Sequence, residues 1–288
     1  MAKTAIITDS NSGISQKEGK ELGVFVIPMP FMINEETFFE DINLTQGEFY
    51  ERLESGADVV TSQPTPESVT NLWDDILKKY DEIVHIPMSS GLSGSCQSAL
   101  LYAKDYNGKV KVVDNVRISV TQRQAVMDAL ELLGMGKSAA QIKDILEFDK
   151  LNCSIYIMLD TLFYLKKGGR ITSAAAMLGT ILKIKPVLQI QGDKLDAFAK
   201  ARTMGQGKTT MINAVKSDMH NRYGGDGPEN VRLHIAHSNN HKEAEILKAE
   251  LKNIYPQLTI IVDALSLSVA CHIGPGALAI ACTKNIGQ

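Results

Sequence analysis

Residues 82–96, EIVHIPMSSGLSGSC, decide the fold class that we predict for this chain. Residues 82–87 are a short apolar run with the length of a buried strand, and a helix is predicted to begin near Ser95. Between the two, residues 89–95 hold four serines and two glycines, and we call this segment the serine loop. A strand that leads through a polar loop into a helix is the repeating unit of α/β folds.

The same alternation of strands and helices extends from residue 4 to residue 159. The predicted strands cover residues 4–8, 24–33, 82–87, 109–113 and 153–159. Prolines at positions 28 and 30 make the second of these an edge strand or a broken one. The predicted helices cover about 45–55, 65–79, 95–104, 121–134 and 139–148, and capping boxes begin two of them, at Thr45 with Glu48 and at Ser138 with Gln141. Alternating elements imply right-handed crossovers, so we expect a parallel sheet with helices on both faces.

The pattern changes after residue 160. Residues 183–202 contain two apparent strands joined by a Gly-Asp turn, which makes part of this half antiparallel. Further strands are predicted at 231–237 and 259–265, and further helices at about 206–222 and 241–253. We therefore predict two α/β domains. Residues 1–160 should form a three-layer α/β/α domain with a parallel sheet, and residues 161–288 a two-layer α/β domain with a mixed sheet.

The composition excludes several classes of protein. The 288 residues carry a formal net charge of −3 and no long basic run, which argues against a nucleic-acid partner. The four cysteines lack the spacing of a metal site, so we expect reduced core thiols and no metal. The chain does not begin with a basic and apolar leader and has no apolar run of about 18 residues. We therefore expect a cytoplasmic protein without a membrane span, whose membrane contact is at most transient.

Two hydroxyl-rich segments are expected at the carboxyl ends of neighbouring strands. One is TSQP, residues 61–64, and the other is the serine loop. A helix begins after each, so free backbone N–H groups and the positive end of a helix dipole would suit an anionic oxygen. Asp9 and Asp114 also end predicted strands at this edge. The alternative is that these polar residues only cap helices, form turns or face solvent.

Two enzyme motifs are imperfect. Residues 91–95 nearly match the G-x-S-x-G nucleophile elbow, but the last glycine is replaced by serine. A serine hydrolase would need Ser93 as nucleophile, His272 as base and Asp263 to orient that base. The stretch that begins at Arg202 fails the phosphate-binding P-loop motif, because arginine stands where the first glycine is required. A module that binds only an inorganic anion and regulates a partner is a further alternative.

The order and spacing of short motifs along nearly the whole chain resemble those of the DegV family. These motifs are, in order, ITDSNSGIS, TSQPTPE, MSSGLSGSCQSA, VVDN, DTLFYLKKGGRI, KIKPVLQI, KAR and HIGPGALA. The succession of TSQP, then SSGLSG, then LKKGGRI carries most of the resemblance. It implies a two-domain α/β fold that binds a long-chain fatty acid, such as palmitate, stearate or oleate, between its domains.

The resemblance also implies roles for individual residues. The carboxylate of the acid would be held by Thr61 and Ser93, with Ser62, Gly94 and His272 beside them. The protein would be a carrier without enzymatic activity and without a cofactor, in which the fatty acid is the only ligand.

Several members of the family serve as carrier subunits of a bacterial fatty-acid kinase. Arg202 and His272 match positions that these members use around phosphate transfer to the bound acid. A separate kinase subunit would therefore be the protein partner and would supply the ATP, since this chain has no nucleotide-binding motif.

The chain also departs from the family pattern. Residues 115–124, NVRISVTQRQ, lack the small residues and the glycine that are common in the family after the aspartate. Cys96 stands where a bulkier residue is usual. Met29, Met158 and Met177 are candidates for the lining of a pliable lipid tunnel, with ordinary core packing as the alternative.

Overall fold

The computed structural model of the protein describes residues 2–178 and 184–286. The chain forms two compact units, Met1–Lys150 and Leu151–Gln288. The strand that the sequence placed last in the first domain, residues 153–159, lies in the second unit. The division therefore falls before the boundary near residue 160 that the sequence predicted.

The first unit contains seven strands and six α-helices among its described residues. They are β1 (Thr4–Asp9), α1 (Gln16–Leu22), β2 (Val24–Ile27), β3 (Phe31–Ile33), β4 (Glu36–Phe38), α2 (Gln46–Glu54), β5 (Val59–Thr61), α3 (Pro66–Leu77), β6 (Glu82–Ile86), α4 (Ser95–Tyr102), β7 (Val110–Val112), α5 (Ser119–Gly134) and α6 (Ala139–Phe148). Thr45 and Ser138 close the predicted capping boxes at the starts of α2 and α6.

Four strands of this unit form the predicted parallel sheet, in the order β2-β1-β6-β7. Successive side chains of a strand point to opposite faces. On one face, Ile7 of β1 and Ile83 of β6 pack in a buried cluster with Trp73 of α3 and Ala99 of α4. This cluster fixes α3 and α4 against the sheet.

Helix α5 covers the opposite face. The side chain of Gln122 in α5 donates hydrogen bonds to Thr8 Oγ1 at 3.2 Å and to the carbonyl of Ile86 at 3.2 Å. Arg123, also in α5, forms an ion pair with Glu18 of α1. Helices therefore lie on both faces of the sheet, and the predicted three-layer arrangement is confirmed.

The predicted strand at residues 24–33 is two strands that belong to different sheets. β2 ends before Pro28, and β3 begins after Pro30, in agreement with the restriction that proline places on strands. β3 pairs with β4 and β5 in a small antiparallel sheet of order β4-β3-β5. The prediction that TSQP follows a strand of the parallel sheet is therefore wrong, because β5 pairs with β3 instead.

The second unit contains six strands and five α-helices among its described residues. They are β8 (Cys153–Met158), α7 (Phe163–Gly168), α8 (Ser173–Leu178), β9 (Lys185–Ile190), β10 (Leu195–Ala201), α9 (Met204–Arg222), β11 (Val231–His237), α10 (His241–Ile254), β12 (Ile260–Ala264), α11 (Leu267–Ile273) and β13 (Leu278–Lys284). Lys183, where the sequence starts the first strand of its antiparallel pair, lies outside the described residues.

The six strands form one mixed sheet, in the order β10-β9-β8-β13-β11-β12. β9 and β10 are antiparallel, as predicted, whereas β11 and β12 are parallel. β8 pairs with β9 and β13, which is why it belongs to this unit. Its continuous apolar sequence fits a buried strand of either sheet, so only the pairing partner decides the assignment. That partner, β13, was not predicted.

Helices α9 and α10 pack on one face of the mixed sheet. Met211 and Val215 of α9 share a buried cluster with Leu247 and Leu251 of α10 and with the side chains of β8, β11 and β13 that point the same way. This packing confirms the two-layer prediction for the second half of the chain.

The described residues carry three further features relevant to function. Cys96, Cys153, Cys271 and Cys282 are free thiols in buried positions. No helix in the described part of the chain is long and apolar enough to cross a membrane. Within the same residues, no three histidine, cysteine, aspartate or glutamate side chains are grouped so that they could hold a metal ion.

Gly19 in α1 tests the packing of the first unit. A Cβ at this position would lie 2.8 Å from the carbonyl oxygen of Val24 and 2.8 Å from a methyl of Val26. Gly19→Ala should therefore lower the free energy of unfolding by about 1 to 3 kcal/mol, although alanine favours helices. Gly47→Ala in α2 is the matched control, because nothing lies within 4 Å of its Cβ position. It should raise stability by up to about 1 kcal/mol. Chemical denaturation measures both, and equal effects would contradict the contact.

Candidate functional site

The serine loop is folded by hydrogen bonds of its own backbone. The carbonyl of Ser89 accepts from the N–H groups of Leu92 and Ser93, each at 3.1 Å. The hydroxyl of Ser89 accepts from the N–H of Gly91 at 3.3 Å. Ser89 itself is buried, so the loop turns around a fixed residue and presents the residues that follow it.

The hydroxyl of Ser93 lies at the start of helix α4. Its oxygen accepts from the N–H of Ser95 at 3.2 Å, and its proton is directed to Ser95 Oγ at 3.0 Å. Gly94 is the N-cap of α4 and contributes no side-chain cap, so the hydroxyl of Ser93 is the acceptor that reaches the first N–H group of the helix. Because a hydroxyl rotates freely, Ser93 can redirect its proton to an incoming carboxylate.

TSQP lies close to the serine loop, although the two follow different sheets. Thr61 ends β5, and the N–H of Ser62 donates to the carbonyl of Pro30 at 3.3 Å. The side chain of Gln63 makes the link between the segments. Its Oε1 accepts from Ser98 Oγ of α4 at 3.2 Å, and a Cβ on Gly94 would lie 3.2 Å from the same oxygen.

The prediction that TSQP and the serine loop lie close together is confirmed, but the predicted cause of their proximity is wrong. The sequence placed them on neighbouring strands, whereas the contact is made through a glutamine. Gln63 was missed as a functional residue, and its only sequence signal is its position inside TSQP.

Asp9 anchors the start of the serine loop. Its carboxylate accepts from the N–H of Met88 at 2.8 Å, from the N–H of Asn11 at 3.0 Å and from Gln122 Nε2 at 3.1 Å. The side chain is only 2% exposed, and this burial raises its pKa to about 6, against the opposing effect of these donors. Asp9 is therefore a buried structural acceptor and does not face solvent.

His85 lies in the same region, below the loop. Its ring packs edge-on against Trp73, with 5.6 Å between ring centroids. A small cavity of about 10 Å³ is lined by His85 together with Asp9 and Ser95. Burial lowers the pKa of the imidazole to about 3, so His85 is neutral in the folded protein at physiological pH.

His272, the candidate residue of the second unit, lies on helix α11. A Cβ on Gly168, the last residue of α7, would overlap its imidazole ring. Burial, and then the positive charge of Arg170, lower the pKa of His272 to about 4. Arg170 also donates to the carbonyl of Gly168 at 2.6 Å, which ties its guanidinium to the end of α7. The sequence did not assign Arg170 a role, although it lies in the LKKGGRI motif.

The Gly274–Gly276 turn after His272 requires glycine. Gly274 has φ 75° and packs on the ring of Tyr164, and Gly276 has φ 85° and packs on Asp160. Residues of the loop after β11 hold this turn. Ser238 Oγ donates to the carbonyl of Gly274 at 2.5 Å, and Asn240 Nδ2 donates to the carbonyl of Gly276 at 2.9 Å. Sequence reasoning missed both residues.

Arg202 lies on an exposed turn between β10 and α9. Its backbone N–H donates to Gln206 Oε1 at 2.9 Å, and the next residue, Thr203, caps α9. Gly205 and Gly207 both lie inside α9, and Gly207 packs against Met158. The guanidinium of Arg202 is solvent-accessible and available to a partner.

The geometry of Ser93 disfavours the serine hydrolase. The nucleophile of a G-x-S-x-G elbow sits on a strained turn. Among the described residues, the non-glycine positions with positive φ do not include Ser93. The hydroxyl of Ser93 bonds to Ser95 Oγ, and a serine hydroxyl cannot act as a base at neutral pH.

The fold and the loops define an α/β protein with two units, in which TSQP and the serine loop lie together at the start of α4. The chain belongs to the DegV family, since the model of that family, described as an uncharacterised protein family, matches residues 3–285. Protein DegV from Bacillus subtilis is 29% identical over 287 residues, which cover 96% of this chain and 97% of that protein.

Two solved structures are similar over nearly the full length. One is the structure of a DegV family protein from Thermus thermophilus, which is described in terms of its fatty acid binding. It has a TM-score of 0.89 at 29% identity and covers 98% of this chain and 100% of that one. The other is DegV from Bacillus subtilis, described as a fatty acid binding protein. It has a TM-score of 0.87 at 29% identity and covers 99% and 100%.

The contact between Gly168 and His272 can be tested directly. Gly168→Ala should displace the imidazole from its buried position, so the pKa of His272 should rise from about 4 toward the ordinary value of 6.5. A pH titration of the ring resonances by NMR measures this. Gly169→Asn is the control, because nothing lies within 4 Å of the Gly169 Cβ position and asparagine tolerates its φ of 67°. An unchanged titration of His272 in Gly168→Ala would refute the contact.

The burial of His85 predicts sensitivity to acid. The unfolded chain takes up a proton near pH 6.5, whereas the folded chain resists it until about pH 3. The free energy of unfolding should therefore fall as the pH drops through this range, by about 3 kcal/mol between pH 7 and pH 4 from His85 alone. His85→Leu should remove this part of the pH dependence in denaturant titrations. His220→Leu, on the exposed side of α9, is the control, and equal slopes for the two variants would contradict the assignment.

Proposed function

We propose that this protein binds a long-chain fatty acid and presents its carboxylate to a separate kinase. Thr61 and Ser93 hold the carboxylate, and Ser62 and Gly94 contribute from the same two segments. The observation that carries the proposal is the contact of Gln63 with Ser98 and Gly94, which brings TSQP and the serine loop together at the start of α4. The description of two similar DegV structures as fatty acid binding supports the choice of ligand.

The two ends of the ligand contribute differently to binding. A 16-carbon acid buries about 14 methylenes, and at about 0.8 kcal/mol each the tail supplies at most about 11 kcal/mol. A hydrogen bond to a charged oxygen adds only about 1.5 to 3 kcal/mol net. The hydroxyls of Thr61 and Ser93 therefore orient the carboxylate and prevent its burial without partners, while the tail supplies most of the affinity.

His272 and Arg202 support the transfer of phosphate in this proposal. Phosphorylation of a carboxylate builds negative charge on oxygen atoms, and cationic or hydrogen-bonding groups stabilise that charge. His272 is neutral at physiological pH, so it contributes one N–H donor and no charge. The positive charges come from Arg170 and Arg202, both of which are exposed. The kinase supplies ATP, and the protein itself is a carrier in the cytoplasm that catalyses no reaction alone.

Bound lipid is the first test of this proposal. The purified protein should contain a long-chain fatty acid such as palmitate, stearate or oleate, which native mass spectrometry and solvent extraction would identify. Delipidated protein should rebind the acid at one site. Protein that is repeatedly empty and does not rebind any of these acids would overturn the proposal. Labelling of Ser93 by a fluorophosphonate probe would favour the hydrolase instead.

A double substitution tests the division between tail and head group. Thr61→Ala with Ser93→Ala should lower palmitate affinity by about tenfold per hydroxyl and should leave tail binding detectable. The carboxyl resonance of palmitate labelled with carbon-13 at that carbon should move toward its position in water. Ser90→Ala, in the same loop, is the control and should change neither quantity. Complete loss of lipid binding in the double variant would show that the head group supplies most of the affinity.

A further inference from the structure

Residues 115–119 are mostly buried and strained next to the serine loop. Asn115, Arg117, Ile118 and Ser119 are all buried. Val116 has φ 50° and Ser119 has φ 54°, a left-handed conformation that side chains, and β-branched ones above all, rarely adopt. Such backbone persists only where contacts with the surrounding structure hold the segment in place.

The guanidinium of Arg117 holds it. This side chain is only 1% exposed, and its Nη2 donates to Asp149 Oδ2 at 2.7 Å and to the carbonyl of Asp149 at 3.0 Å. Its Nη1 lies 3.8 Å from Asp128 Oδ2, and Gln124 Nε2 donates to Asp128 Oδ1 at 2.8 Å. A charge buried so deeply requires these partners. The segment is thereby fixed to α5 and to the end of α6.

The backbone of the same residue contacts the serine loop. The carbonyl oxygen of Arg117 accepts from the N–H of Ser89 at 2.7 Å. Ser89 in turn accepts from the N–H of Ser93 through its carbonyl, and the hydroxyl of Ser93 accepts from the N–H of Ser95. Two hydrogen bonds, joined through the backbone of Ser89, therefore connect Arg117 to Ser93, whose hydroxyl would bind the carboxylate.

We propose that Arg117 is a positioning residue for carboxylate binding. Its side chain, held by Asp128 and Asp149, fixes the strained segment so that its carbonyl oxygen sets the place of Ser89 and hence of Ser93. The ligand-binding part of this inference rests on the proposed function, whereas the effect on the loop does not. Lysine cannot replace the arginine, because an ammonium group lacks the planar fork that reaches both carboxylates.

The matched pair of variants is Arg117→Lys and Arg123→Lys. Both keep the positive charge and both weaken an ion pair of the first unit, and the partner of Arg123 is Glu18 on α1. Amide hydrogen exchange is measured at Ser89 and Ser93 in the delipidated protein. The carboxyl resonance of bound palmitate, labelled at that carbon with carbon-13, is measured in the loaded protein.

Exchange at Ser89 should be about tenfold faster in Arg117→Lys than in Arg123→Lys, after correction for any change in global stability. The palmitate resonance should shift only in Arg117→Lys, with affinity changed by less than about threefold because the tail contacts are kept. Equal exchange at Ser89 in the two variants would overturn the inference. Should Arg117→Lys fail to fold, Asp149→Asn, which keeps the carbonyl contact, takes its place under the same criteria.

The two readouts separate this inference from the proposed function. Wild-type protein that binds no palmitate would remove the proposed ligand, while faster exchange at Ser89 would still establish the positioning of the loop. Wild-type protein that binds palmitate, combined with an unshifted carboxyl resonance in Arg117→Lys, would refute the role of Arg117 in carboxylate binding alone.

Discussion

The buried carboxylate of Asp9 is the interaction on which the first unit depends. It joins the end of β1 to the backbone at Met88, where the chain leaves β6, and to Gln122 of α5. Without this acceptor, the N–H of Met88 would be buried without a described partner at the point where the serine loop starts. The raised pKa of Asp9, about 6, reflects the cost of keeping a charge in this place. The loop is therefore anchored at one end by a carboxylate and at its first serine by the carbonyl of Arg117.

Two supports of different chemistry act on the same loop. Asp9 provides a carboxylate acceptor whose charge is lost when it is protonated, whereas Arg117 provides a neutral carbonyl whose position is fixed by ion pairs. Further along the loop, the hydroxyl of Ser93 bonds to Ser95 Oγ. In the proposed function, such donors are in place before the anionic oxygen of the ligand arrives.

Much of the fold could be predicted because strand and helix patterns are local. The parallel sheet, its covering helices and the antiparallel pair β9 and β10 follow from apolar runs, capping residues and a Gly-Asp turn. Strand partners are not local, and this is where the predictions failed. β8 has an apolar sequence that fits either sheet, and its assignment depends on β13, which lies more than a hundred residues further along the chain. β5 was placed in the wrong sheet for the same reason.

The site divides in the same way. Thr61, Ser93 and His272 could be proposed from the sequence as residues of the candidate site, because hydroxyls, glycines and a histidine beside a special turn are visible as motifs. Gln63, Arg117, Ser238 and Asn240 could not, since each acts through contacts with segments distant in sequence. Their residue types are ordinary on a protein surface. Only the folded chain shows that two are buried supports of a turn or loop.

The contact between α7 and α11 has a thermodynamic consequence for the second unit. Because Gly168 lies against the ring of His272, the imidazole keeps its lowered pKa of about 4 only while α7 stays in place. Linkage is reciprocal, so whatever moves α7 aside must increase the proton affinity of the ring, and protonation of the ring must favour the displaced helix. The protonation of His272 and the position of α7 are therefore thermodynamically coupled.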